Sequence, residues 1–134
     1  LKGKLEIYVG HADNYYLNNA VYQCSAEQTA EGVKLILERL RKKCPQSKVL
    51  MLGIFPRGEK PSDAMRKQNE ATNALIAKLA DGQSVQYLDI GGSFLQADGT
   101  LTREIMPDLL HLSEAGYEKW AQAIEPKVKE LLGE

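Results

Sequence analysis

The sequence predicts a three-layer α/β/α sandwich built on a parallel sheet. Two observations carry this expectation. Short apolar runs alternate with longer stretches of helical periodicity, three times over, and that alternation means parallel strands joined by right-handed crossovers. The run "SKVLMLGIFP" (47–56) is also continuously apolar rather than alternating, as expected of a strand covered on both faces.

Each element follows in order. "KLEIYVG" (4–10) reads as a short strand ending in Gly. Residues 11–25 are polar and aromatic without periodicity and read as a loop. Ser25 opens a helix, and Gln28 three residues later completes a capping-box pattern. Val33, Ile36, Leu37 and Leu40 form its apolar stripe, and Lys42, Lys43 and then Pro45 end it. A buried strand is expected near 48–54, a loop over "RGEKPSD", and a helix over 64–81 stopped at Asp81-Gly82. "VQYLDIG" (85–91) is a third strand, paired in the sheet near 85–90. A long connection with a turn at Asp98-Gly99 leads to Ser113, which caps a final helix containing Pro126 and an inward-facing Trp120. There is no internal repeat, linker or low-complexity segment.

The totals bound the function. The 134 residues make one domain with a real core. With 17 basic and 18 acidic residues the net charge is −1, which argues against nucleic acid or an anionic membrane surface as the main partner. No apolar run approaches the roughly 18 residues of a membrane-spanning helix. The opening "LKGKLEIYVG" lacks an initiator Met and the apolar core of a signal peptide. A processed or truncated product is therefore expected, and the compartment is not indicated. Cys24 and Cys44 have no metal spacing and no CxxC pattern; two unpaired thiols are expected.

Open parallel sheets place their sites at the carboxyl ends of the strands. Loops 10–25, 56–63 and 91–112 meet there. The last contains Asp108 and His111, one of only two histidines. An imidazole suits general-base work near neutral pH, and a nearby carboxylate can fix its tautomer. A D-x-x-H spacing lets both side chains converge on a turn, yet the same spacing also arises in surface and capping pairs. His11 reads as a loop histidine. Tyr15, Tyr16 and Tyr22 either line a pocket or pack a loop. Arg57, Glu59 and Lys60 read as a solvated loop.

The segments "LGIFPRGEKP", "LD-G-F---DGTL" and "DLLHLS--GY" occur in the order found in SGNH (GDSL-type) hydrolases. The chain resembles the carboxyl half of that family over residues 26–132. It is most similar to the platelet-activating-factor acetylhydrolase-like esterases and bacterial carbohydrate esterases. The resemblance implies the flavodoxin-like version of the sandwich, incomplete at its amino end. It implies a Ser-His-Asp triad in which Asp108 orients His111 and His111 activates a serine. It also implies a small-molecule ester substrate, an acyl group such as acetyl on a sugar or lipid, no metal or organic cofactor, and a 56–63 loop near the rim of the site.

Two blocks of the family are absent from this sequence: the Gly-Asp-Ser nucleophile motif after the first strand and the Gly that supplies an oxyanion N–H. Ser93 follows a strand but aligns with a structural part of the family. The oxyanion Asn has several candidates. Counting back from "AEQTAEGVK" without gaps reaches Asn18, whereas Asn14 is the alternative. Aligning Gly10 with the family's Gly instead puts Ala12 at that place.

Three readings follow. The chain is part of an esterase and associates with its amino-terminal part or a second copy; or it is a degenerate homologue that binds without hydrolysis; or it is an enzyme of another class using Asp108, His111 and a local nucleophile.

Overall fold

A computed structural model describes residues 24–133 in full and the strand Leu5–Val9 in its backbone. The elements are β1 (Leu5–Val9), α1 (Ala26–Lys43), β2 (Lys48–Leu52), α2 (Ala64–Ile76), β3 (Val85–Leu88) and α3 (Glu114–Leu132). Among the described residues the sheet has three parallel strands in the order β1-β2-β3. Leu5 pairs with Lys48 and Val9 with Leu52 on one side of β2, and Val49 pairs with Val85 on the other.

Successive side chains of a strand point to opposite faces, and β2 buries both. Val49 and Met51 pack with Val33 and Leu37 of α1 and Ile76 of α2. Leu50 and Leu52 pack with Ile124 and Leu131 of α3 and with Phe94, Leu101 and Met106 of the long connection. This is the expected three-layer sandwich, and it explains the unbroken apolar run of β2.

The helix ends follow local chemistry. Ser25 Oγ accepts from the Gln28 N–H at 3.2 Å, and Gln28 Oε1 accepts from the Ser25 N–H at 2.8 Å, so the capping box is complete. Ser113 Oγ accepts from the Gly116 N–H at 3.1 Å and donates to the Glu104 carbonyl at 2.6 Å. α3 continues through Pro126 and ends at Gly133, in the left-handed conformation with φ +77°. Trp120 is half-buried against the α3-side core. Cys24 and Cys44 are both free thiols.

Three elements are shorter than the sequence suggests: β3 ends at Leu88 rather than near 90, and two others stop early for a visible reason. The β2 ladder ends at Leu52 rather than near 54, because a side chain of α2 takes over the backbone of Ile54. Asn73 Oδ1 accepts from the Ile54 N–H at 2.7 Å, and its Nδ2 donates to the Ile54 carbonyl at 2.9 Å. Gly53 permits this approach, since a Cβ there would lie 2.8 Å from Tyr87 Oη and 3.2 Å from Asn73 Nδ2. The second helix ends at Ile76, with a single 3-10 turn over 77–79, rather than at 81. Asp81 instead organises the turn into β3. Its Oδ1 accepts from the Gln83 and Val85 N–H groups at 2.9 and 2.8 Å, and its Oδ2 accepts from Ser84 Oγ and Arg41.

The inward face of α2 is unexpectedly polar: Arg66, Asn69, Thr72 and Asn73 are all buried. Asn69 Nδ2 donates to the Phe55 carbonyl at 2.9 Å, continuing the stitching begun by Asn73.

Replacing Asn73 by Ala would leave two buried main-chain groups of Ile54 without partners, each costing about 1–3 kcal/mol. Asn73→Ala is therefore expected to lower the urea-unfolding free energy by roughly 2–4 kcal/mol. A loss no larger than that of an exposed α2 substitution such as Glu70→Ala would contradict this account.

Candidate active site

The loop before α3 is closed at its base and tight at its tip. Ile105 and Met106 are buried, and the Ser113 N–H bonds the Ile105 carbonyl at 2.9 Å. Between these anchors the chain must turn twice. Asp108 makes the second turn: its Oδ1 accepts from the Leu110 and His111 N–H groups at 3.1 and 2.7 Å. This is the local side-chain-to-backbone bonding for which Asp is suited. The same geometry leaves Oδ2 2.6 Å from His111 Nδ1. The Asp–His pairing expected from the D-x-x-H spacing is thus present.

The electrostatics follow from these bonds. The His111 ring, first, and the two main-chain N–H groups hold the Asp108 carboxyl well below the usual carboxylate range. The pair is half-open to water, the Asp and His side chains being close to 50% exposed. Its Coulomb attraction is therefore screened and weak. Orientation must come mainly from the backbone.

That backbone is strained. Leu109, between the two residues, has φ +60°, uncommon for a residue with a branched side chain and the only such non-glycine among the described residues. Two hydrogen bonds hold it there. The Leu109 N–H donates to the Met106 carbonyl at 2.9 Å, and the Leu109 carbonyl accepts from the Gly58 N–H at 3.2 Å. Gly58 follows β2, so the pair stands at the carboxyl side of the sheet.

An open hollow of about 360 Å³ lies beside Asp108, lined by Arg57, Gly58, Asp63, Met65 and Leu109 among others. Arg57 differs from the solvated residue expected. It is half-buried, and its Nη1 is shielded from solvent without a hydrogen-bond partner among the described residues. Glu59 and Lys60 are exposed as expected. A second, smaller hollow at the ends of β2 and β3 is lined by Ile54, Glu70, Asn73, Asp89 and Gly91. Beside it, burial and the Asp89 carboxylate push the Tyr87 hydroxyl up, so it stays protonated.

Ser93 is exposed on the 3-10 turn Gly91–Phe94, and its N–H bonds the Ile90 carbonyl. Asn14, Asn18, Ala12, His11, Tyr15, Tyr16 and Tyr22 lie outside the described residues. Among the described residues no group of three His, Cys, Asp or Glu side chains could hold a metal ion, and no helix is long and apolar enough to cross a membrane. The sequence reading missed Arg66, Asn69 and Asn73. Their spacing along one helical face with Ile76 was the available signal.

Residues 14–119 match the GDSL-like Lipase/Acylhydrolase family. The chain belongs to that family. Platelet-activating factor acetylhydrolase IB subunit alpha2 from Rattus norvegicus is 34% identical over 113 residues, covering 84% of this chain and 49% of the rat protein. The GDSL-like chain therefore spans about half the length of this curated relative. Among solved structures, a GDSL-like lipase from Bacteroides thetaiotaomicron superposes with a TM-score of 0.70 at 16% identity, over 94% of this chain and 62% of the other. A carbohydrate acetylesterase family member from Sinorhizobium meliloti gives 0.70 at 17% identity, over 98% and 62%. At such identities the likeness is one of fold.

The depressed Asp108 carboxyl makes a testable link between pH and stability. Its folded pKa lies below its unfolded one, so the pair stabilises the fold above the ordinary carboxylate value of about 4. That contribution is lost as the pH falls from there through the lowered value. Thermal melts should show Asp108→Ala less stable than the unaltered chain at neutral pH, with the gap closing as the pH drops from about 4 toward about 2. A gap independent of pH would mean that the carboxylate is not held in this way.

Proposed function

We propose that this chain supplies the acid and base of a serine ester hydrolase. The observation that supports this reading most directly is the 2.6 Å approach of Asp108 Oδ2 to His111 Nδ1 on a loop at the carboxyl side of the sheet. With Nδ1–H donated to Asp108, Nε2 on the far side of the ring takes the proton of the attacking serine hydroxyl. The serine oxygen then bonds the ester carbonyl carbon. The resulting oxyanion is held by main-chain N–H groups and by the side chain of Asn18, or of Asn14 in the alternative alignment. As the tetrahedral adduct collapses, the imidazolium returns its proton to the departing alkoxide. Water then hydrolyses the acyl-enzyme by the same route.

Membership of the family supports ester hydrolysis in general. The names of its relatives, an acetylhydrolase and a carbohydrate acetylesterase family member, support a small acyl group, acetyl first, on a lipid or a sugar. The serine comes from a Gly-Asp-Ser block on an amino-terminal segment that associates with this chain. β1, at the end of the described strand order, is the side on which further strands would add.

The test is hydrolysis of p-nitrophenyl acetate by this chain with a Gly-Asp-Ser-bearing amino-terminal segment supplied in cis or in trans. His111→Ala should lower turnover by about 10⁴–10⁶ and Asp108→Asn by about 10⁴. Full turnover surviving His111→Ala would sink the proposal. Ester hydrolysis by the chain alone, abolished by Ser93→Ala, would assign the nucleophile to Ser93 instead.

A further inference from the structure

Arg66 is the third residue of α2 and is only 2% exposed. Its guanidinium bonds main-chain carbonyls rather than a carboxylate: Nη1 donates to Gly99 at 3.1 Å and Nη2 to Gly58 at 2.9 Å. Its Nε is buried without a hydrogen-bond partner among the described residues. A buried cation bonded this incompletely is costly, and an apolar side chain of similar length would fill the space without that cost. The geometry of what it holds is therefore informative.

Both carbonyls belong to glycines in the left-handed region, Gly58 at φ +82° and Gly99 at φ +81°. Gly58 sends its carbonyl to Arg66 and its N–H to the carbonyl of Leu109. Leu109 is the strained residue between Asp108 and His111. Asp63 packs closely against Gly58: its Oδ2 accepts from the Lys60 N–H at 3.0 Å and would lie 2.6 Å from any Cβ at 58. A continuous chain of contacts thus runs from a buried guanidinium, through one glycine, to the peptide that sets the Asp–His angle.

We propose that Arg66 is a positioning residue for the Asp108–His111 pair. By gripping the Gly58 carbonyl, it fixes the N–H that keeps Leu109 left-handed, and so keeps Oδ2 of Asp108 opposite Nδ1 of His111. The inference rests on the reading of His111 as the base, because only a base needs a fixed tautomer. Lys at 66 keeps the charge but lacks the planar fork that reaches two carbonyls at once.

The readout is the tautomer of His111, taken from long-range ¹H–¹⁵N correlation spectra at a pH where the ring is neutral. A His11→Gln background leaves one imidazole signal, since the chain has two histidines. The chain with Arg66 in place should show the Nδ1–H form, and Asp108→Ala should abolish that preference. Arg66→Met and Arg66→Lys are expected to move the ratio several-fold toward the Nε2–H form in the folded protein. A purely structural Arg66 would lower the melting temperature and leave the ratio unchanged, which would overturn the proposal. Should neither variant fold, amide exchange in the unaltered protein decides. A protected Gly58 N–H supports the tether, and exchange as fast as at exposed loop amides overturns it. None of these readouts needs turnover. A chain with the bonded tautomer and no esterase activity would contradict the proposed function and leave the role of Arg66 standing.

Discussion

The two hydrogen bonds between Asn73 and the main chain of Ile54 determine much of what lies beyond the sheet. A strand buried on both faces must pair its backbone groups or lose about 1–3 kcal/mol for each orphan. β2 is such a strand, and its ladder stops at Leu52. Past that point α2 takes over with side chains, Asn73 on Ile54, Asn69 on Phe55 and Arg66 on Gly58. The chain can therefore leave the sheet and turn toward the site while staying buried. The polar inner face of α2 serves this exit, which is why the helix is amphipathic in burial but not in polarity.

The exit loop then meets the loop before α3. Their joint is the Gly58 N–H on the Leu109 carbonyl. An Asp–His pair as open to water as this one gains little from its own attraction, on the order of 1 kcal/mol or less. A left-handed leucine costs about 1–2 kcal/mol, comparable to or larger than that gain. The pair therefore cannot hold its own geometry. The surrounding bonds must impose it, through the anchors Ile105, Met106 and Ser113 on one side and Gly58 on the other. Strain is thus confined to one loop and borne by a rigid frame.

The family relation is consistent with this division of labour. The part of the fold described here, from β1 through α3, is the part that builds the Asp108–His111 loop. The chain spans about half of its curated relative, and the fold likeness extends over 94% and 98% of this chain in the two solved structures. The frame is thus kept at identities of 16–17%. What such distant chains share is the fold, with few side chains in common.

The sequence by itself determined the class of fold, the order of elements and the place of the Asp–His pair. These depend on signals that act over a few residues. Apolar runs and helical periodicity set the layers, Ser25 with Gln28 and Ser113 set helix starts, and a D-x-x-H spacing lets one carboxylate bond both a main-chain N–H and a ring three residues on. Only the tertiary structure decided where β2 and α2 stop, that Arg57 is half-buried, and that Leu109 is left-handed. The two stops and the left-handed turn each depend on a partner distant in sequence. Ile54 meets Asn73 19 residues away, Arg41 meets Asp81 40 residues away, and Gly58 meets Leu109 across the sheet edge. A polar residue on a helix face looks solvated in the sequence. It becomes a buried donor only when packing brings an unpaired carbonyl against it.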